Sequence, residues 1–214
     1  MSELPGLDAR IGYVYGDGAE SPSLESMLAQ AAAQKTQEDA GGPTQPGPAA
    51  IVVPLLACPD GALLRRTRQA VANGRSGATL ADVLGPHPVL AEALPVRLSE
   101  AGLARADRAR LFDAAQPADG IILATIGGEE AVQSAGITGM LLSARLAVPV
   151  LVARLDKEGA ISRAAKQLRG SGSQQLVLAP YLVGPYSAVA RLLLSHYTAA
   201  IGITQQQSQG VPVR

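Results

Sequence analysis

The chain is expected to fold as an α/β protein of two duplicated halves, each a parallel sheet flanked by helices. Three observations point there. Short apolar runs alternate with longer helix-period segments along the 214 residues, the pattern of βαβ units. The strands read as unbroken apolar runs, as in Gly120-Ile-Ile-Leu-Ala-Thr-Ile126, which marks strands covered on both faces. Finally, two stretches read as copies. Ile51-Val-Val-Pro-Leu-Leu56 with Leu84-Gly-Pro-His-Pro-Val-Leu-Ala-Glu92 repeats as Leu176-Val-Leu-Ala-Pro-Tyr-Leu182 with Val183-Gly-Pro-Tyr-Ser-Ala-Val-Ala-Arg191. The halves are expected at 1–115 and 116–214, parted near Ala115–Ala118, where Gln116-Pro117 interrupts the pattern.

In chain order, Ile11-Gly-Tyr-Val-Tyr15 reads as a short strand ending at Gly16-Asp17-Gly18. Residues 23–34 read as a helix opened by Ser23, with Leu24, Met27, Leu28 and Ala31 on one face. Residues 37–48, rich in Pro and Gly, read as a loop. Strand 50–56, helix 62–72 and strand 78–84 follow. The next helix starts after Pro88 and stops at Gly102; Pro95 inside it should cost about 3 kcal/mol or restart it. The second half reads as strand 120–126, helix 129–146, strand 148–153, helix 157–168, strand 175–182 and helix 188–201. In helix 157–168, Ile161, Ala164, Ala165 and Leu168 should face inward, with Gly170 as C-cap. Ser187 should cap the last helix, Gly202 should stop it, and 205–214 should fray.

Composition excludes several classes. Lys and Arg number 18 and so do Asp and Glu, so nothing in the charge balance argues for a nucleic-acid footprint, and no nucleic-acid partner is expected. No apolar run reaches the roughly 18 residues that span a membrane. Residues 1–10 hold no apolar core of a signal peptide. The lone Cys58 rules out an internal disulfide and fits a reducing cytoplasm. With one Phe and no Trp, the core must be close-packed Ala, Leu and Val. Neither composition nor pattern sets the oligomeric state.

The order of several weak motifs is informative. Leu84-Gly-Pro-His-Pro-Val-Leu-Ala-Glu-Ala-Leu-Pro-Val-Arg-Leu-Ser-Glu-Ala-Gly102, Asp119-Gly-Ile-Ile-Leu-Ala-Thr-Ile-Gly127, Gln175-Leu-Val-Leu-Ala-Pro-Tyr-Leu182 and Ala188-Val-Ala-Arg-Leu-Leu-Leu-Ser-His-Tyr197 follow one another. Together, over about 51–200, they resemble the sirohydrochlorin chelatases of cobalamin and sirohaem synthesis, the class II chelatases, in their long two-half form. The resemblance implies two α/β halves facing across a cleft that holds a tetrapyrrole. It also implies insertion of Co²⁺ or Fe²⁺, the substrate metal, with histidines that bind the ion and accept pyrrole protons. Here the chain departs. Tyr15, ahead of Gly16, stands where the family has its first histidine. The loop Ala57-Cys-Pro-Asp-Gly61 has none, nor does Val183-Gly-Pro-Tyr-Ser187. The two histidines, His87 and His196, lie in the Gly-Pro turn and the last helix. The expectation is a chelatase-like protein whose metal insertion is lost or altered. The alternative is a non-enzymatic interaction or regulatory protein on the same scaffold.

Ligands of parallel sheets bind beyond the carboxyl ends of the strands. Candidates are therefore sought in the loops there. Tyr15 reads as a phenolate facing the ring centre, in the catalytic role, or as a packed strand-end tyrosine. Gly16, Asp60 and Gly61 would border the ligand. Asp60, Asp17, Glu129 and Glu130 read as hard metal ligands or as loop and helix-start charges. Cys58 reads as a soft ligand or as buried filler. Arg65, Arg66 and Arg68 would hold tetrapyrrole carboxylates, or form a solvated helix face. Gly127-Gly128 would bind an anion ahead of a helix. Pro185, Tyr186 and Ser187 complete the set. No residue is assigned as a metal ligand.

Overall fold

The computed structural model describes residues 8–41, 47–74, 76–103, 118–183 and 187–209. Two compact units are woven from interleaved pieces of the chain. The first comprises Met1–Pro54, Gly61–Val83 and Ala190–Arg214; the second comprises Leu55–Asp60 and Leu84–Val189. Neither unit is one of the sequence halves 1–115 and 116–214. The expected boundary falls largely on 104–117, outside the described residues, and the division into duplicated halves remains a proposal.

In the first unit, helix α1 (Leu24–Gly41) and helix α2 (Gly61–Asn73) pack together. They flank a parallel pair, β1 (Ile51–Val52) and β2 (Thr79–Leu80), joined in the register Ile51↔Thr79 and Val52↔Leu80. Leu24, Leu28 and Ala70 form the core, with Ala50, Val52, Val71 and Ala78 against it. Ser23 caps α1 as expected: its Oγ accepts from Ser26 N at 3.1 Å. Three expectations fail here. Ile11 to Tyr15 makes no strand; Tyr13 forms one isolated parallel bridge with Ser23, and Gly16 N donates to Tyr13 O at 3.2 Å to close a turn. Pairing with the helix start leaves this run no sheet neighbour. The apolar runs 50–56 and 78–84 shrink to two-residue strands; Pro54 removes a ladder donor from the first, and among the described residues no third strand joins the pair. Helix α1 also continues to Gly41, into the stretch read as loop.

The second unit is a three-stranded parallel sheet in the order β4-β3-β5. Its strands are β3 (Gly120–Thr125), β4 (Val150–Arg154) and β5 (Leu176–Pro180). Strand β3 is central and buried throughout, which is why its sequence is apolar without alternation. Pro180 is tolerated because β5 is an edge strand. Helix α5 (Ala160–Gly170) covers part of the sheet: Ala164 and Leu168 join Ile122 and Ala153, with Ile161 and Ala165 beside them, the inward set expected. Each such large side chain contributes about 1.5–3 kcal/mol on burial. Gly170 is the last residue of α5 and Ser171 its C-cap. Helix α4 (Glu129–Leu146), with the bounds expected, sits on β3 and β4, where its Gly139 lies against Val152 and Val150. Helix α3 (Pro88–Glu100) packs on α4. Pro95 is buried within α3 and does not restart it. Helix α6 (Ser187–Gln209) belongs to the first unit from Ala190 onward. It runs through Gly202, which was expected to stop it, and into the expected tail; glycine weakens a helix by about 1 kcal/mol without ending it. Among the described residues no helix is long and apolar enough to cross a membrane.

Candidate functional site

The site residues divide between the units, and each group is built locally. In the first unit the turn after Tyr13 brings Tyr15 to the surface, 66% exposed. Gly16 is required there, since a Cβ would lie 2.2 Å from Ser21 O. The amphipathic helix α2 buries Thr67 and Ala70 and turns Arg65, Arg66 and Arg68 outward. The Arg66 guanidinium lies over the Tyr15 ring, 4.4 Å from its centroid. Cation–π stacking of this kind contributes about 0.5–1 kcal/mol at an exposed site. Tyr15 is therefore not a packed tyrosine; it is a platform for an arginine. Ion pairs join Arg10 to Asp8 and Arg154 to Asp156; Arg65, Arg66 and Arg68 take part in neither. Gly61 opens α2.

In the second unit the segment before Gly61 meets the start of α4. Asp60 Oδ2 accepts from Gly128 N at 3.3 Å. Gly127 adopts φ +116°, and a Cβ on it would fall 2.6 Å from Asp60 Oδ2 and 3.0 Å from Ala131 Cβ. Gly128 N, at the N-terminus of α4, thus meets an anion. That anion is the chain's own Asp60 carboxylate. Glu129 and Glu130 are exposed in the first turn of α4, favoured there by the helix dipole. Pro185 and Tyr186 lie outside the described residues. Ser187 opens α6, and its side chain is outside the described set.

Behind this loop Cys58 is buried. Burial pushes its thiol pKa up, against hydrogen bonds to Ser134 and Thr125 that pull it down. A buried neutral thiol packs as a small hydrophobe and is a poor metal ligand. Among the described residues the Ser134 hydroxyl finds no nitrogen or oxygen partner; its polar neighbour is the Cys58 sulfur. Nearby, Thr138 Oγ1 donates to Tyr181 Oη at 2.9 Å, both side chains being buried.

Sequence reasoning missed Arg154, the last residue of β4. It forms a two-bond fork with Asp156: Nε to Oδ1 at 3.0 Å and Nη2 to Oδ2 at 2.7 Å. The hydrogen bond to Asp156 raises the Arg154 pKa, helped by attraction to Glu129 and Asp60. The same bond lowers the Asp156 pKa. An arginine at the carboxyl end of a strand was the available signal.

Both imidazoles are engaged structurally. His87 caps α3, its Nδ1 accepting from Val89 N at 3.2 Å. His196 Nδ1 lies 3.1 Å from Asp82 O. Among the described residues no three His, Cys, Asp or Glu side chains come together in a way that could hold a metal ion.

No family model matches the chain, and no curated protein does either. Solved structures do. The chain is similar to SirB from Bacillus subtilis with Fe³⁺, at a TM-score of 0.51 and 14% identity over 87% of this chain and 80% of that one. It also aligns with the sirohydrochlorin chelatase SirB from Bacillus subtilis subspecies spizizenii in complex with cobalt, at a TM-score of 0.46 and 14% identity, over 90% of this chain and 95% of that one. The α/β architecture, with parallel sheets flanked by helices, is the fold of SirB.

Proposed function

We propose that this chain is a chelatase-fold protein of tetrapyrrole metabolism that binds a carboxylate-rich tetrapyrrole in the cytoplasm and has lost or altered metal insertion. The observation that carries the reading is the set of exposed guanidiniums on α2, with Arg66 stacked on the exposed Tyr15. Guanidinium forks match carboxylates in two-bond pairs. An arginine held over an aromatic ring by cation–π attraction has its orientation restricted while it can still donate N–H bonds. The shared fold with SirB, solved with Fe³⁺, supports a chelatase-like role.

The histidines support the second clause. A neutral imidazole serves as both metal ligand and base near pH 7, and both imidazoles of this chain are spent on a helix cap and a carbonyl contact. Loss of a general base alone typically costs about 10²–10⁴-fold in rate. In this reading Tyr15, Gly16, Gly61 and the arginines contact the tetrapyrrole from the first unit. Co²⁺ or Fe²⁺ would enter as substrate.

The test is direct. Purified protein is titrated with sirohydrochlorin at fixed salt, and binding is followed by quenching of ligand fluorescence. Charge-assisted bonds contribute about 1.5–3 kcal/mol each, so Arg65→Ala with Arg66→Ala should weaken binding on the order of 100-fold or more. Unchanged binding in the double variant would refute the arginine assignment. Tyr15→Phe should affect binding little if the ring is a platform, and strongly if its hydroxyl faces the ring centre. Adding Co²⁺ or Fe²⁺ and recording the absorbance spectrum tests the second clause, since insertion above the uncatalysed rate would show that the activity persists. The alternative reading, a non-enzymatic interaction or regulatory protein, draws on one observation. Ile137, Met140 and Leu141 of α4 are each half-exposed or more.

A further inference from the structure

We infer that the outer face of α3 and α4 is a two-fold self-association surface that pairs this chain with a second copy of itself. Helix α4 buries one face on the sheet, through Ala131, Ala135, Thr138 and Leu142. Its opposite face should be polar in a helix that meets only water. Instead Ile137 is 51% exposed, Met140 67% and Leu141 50%, and the exposed Ala144 follows. These four occupy positions i, i+3, i+4 and i+7, the spacing that aligns side chains along one helix stripe. The stripe borders a groove of about 200 Å³ lined by Pro88, Ala91, Glu92, Leu141, Leu142 and Arg145. Val96, one turn beyond Glu92 on α3, adds a further exposed apolar side chain at 46%. All of these residues lie in the second unit.

Charge decides the occupant. Glu92 and Arg145 line the same groove with opposite sign, both are exposed, and they form no ion pair with each other. A two-fold contact brings the same patch of both copies together, so residue i meets j while j meets i. Glu92 of one copy then faces Arg145 of the other, twice over, around the apolar stripe. An unrelated partner would need its own apolar ridge flanked by the opposite pair of charges; a second copy carries that arrangement already. Size sets the strength. Helix α4, 18 residues long, runs about 27 Å, and two helices side by side span about 20 Å. The whole outer face offers at most about 500 Å² per copy and about 1,000 Å² in all, below the standard size of specific interfaces, so the contact is a weak one. A dimer with micromolar Kd is expected.

Sedimentation velocity on the full chain, from about 1 to about 200 µM, reads the result. The wild type should pass from monomer to dimer and stop there. Met140→Glu with Leu141→Glu places carboxylates at the centre of the stripe and should weaken the dimer about 30-fold or more. Arg145→Glu alone should weaken it about tenfold by setting like charges opposite one another. Combining it with Glu92→Arg should restore the wild-type constant to within about threefold. That rescue cannot come from a folding defect, and unchanged circular dichroism of each variant controls for one. A monomer at the highest concentration overturns the inference. So does growth beyond the dimer, or a dimer indifferent to the Met140 and Leu141 changes, or a charge swap that fails to rescue.

Discussion

Removing the buried hydroxyl pair of Thr138 and Tyr181 one partner at a time, and then together, tests how the second unit is held. Thr138 Oγ1 donates to Tyr181 Oη at 2.9 Å, and the two residues are 2% and 3% exposed. Water therefore has little access to either oxygen. Thr138→Val keeps the shape and strands the phenol hydroxyl. Tyr181→Phe strands the threonine hydroxyl. A buried group left without its partner costs about 1–3 kcal/mol, whereas replacing both partners by apolar groups is close to neutral. Each single variant should then lose about 1–2 kcal/mol, and the double variant no more than either single. The coupling energy should be about 1–2 kcal/mol, well above the roughly 0.3–0.5 kcal/mol scatter of independent sites. The chain has no Trp, so urea unfolding is best followed by circular dichroism, with m compared across the four proteins. If the single losses simply add in the double variant, the hydroxyls are not each other's partner and the reasoning fails.

Two further outcomes follow from the same unit. A Cβ on Gly85 would lie 1.8 Å from Ala57 O and 2.6 Å from Ala57 C, so Gly85→Ala must displace backbone; overpacking typically costs about 1–3 kcal/mol, and a loss below about 1 kcal/mol in urea melts would show that the two segments separate easily. At alkaline pH, Tyr181 and Cys58 have pKa values that burial raises above their ordinary 10.0 and 9.0. Below about pH 8 both groups stay protonated, folded or unfolded; above it the unfolded chain sheds its protons first, the thiol before the phenol, so stability falls as pH rises through the folded pKa values. Tyr181→Phe should flatten part of that fall between about pH 9 and 11 relative to pH 8, and a slope identical to wild type would contradict the burial argument.

The sequence by itself determined the local elements wherever one apolar face repeats with a single period. Helix α4 has the bounds Glu129–Leu146 that its pattern after Gly127-Gly128 predicts. Strand β3 is buried on both faces as its unbroken apolar run demands, and Ile161, Ala164, Ala165 and Leu168 turn inward on α5. Such periodicity is a property of neighbours in the chain, so it is legible without a fold. The parallel α/β class followed from the alternation of these elements.

What the sequence left open depended on groups distant along the chain. Whether 11–15 becomes a strand is decided by the availability of a sheet neighbour, and Ser23 leaves it only one bridge. Whether Tyr15 is packed or exposed was undecidable until Arg66, on another element, came to lie over its ring. Gly127-Gly128 was readable as an anion site, but its occupant, Asp60, arrives from a segment far away in the chain. Arg154 was passed over because its meaning comes from the charges around it, Asp156 beside it and Asp60 and Glu129 brought by folding. An exposed stripe such as Ile137, Met140 and Leu141 is equally invisible in sequence, where apolar positions on a helix read as core. Only the tertiary structure shows which face of α4 the sheet has already covered, because burial belongs to the assembled surface and not to the residue.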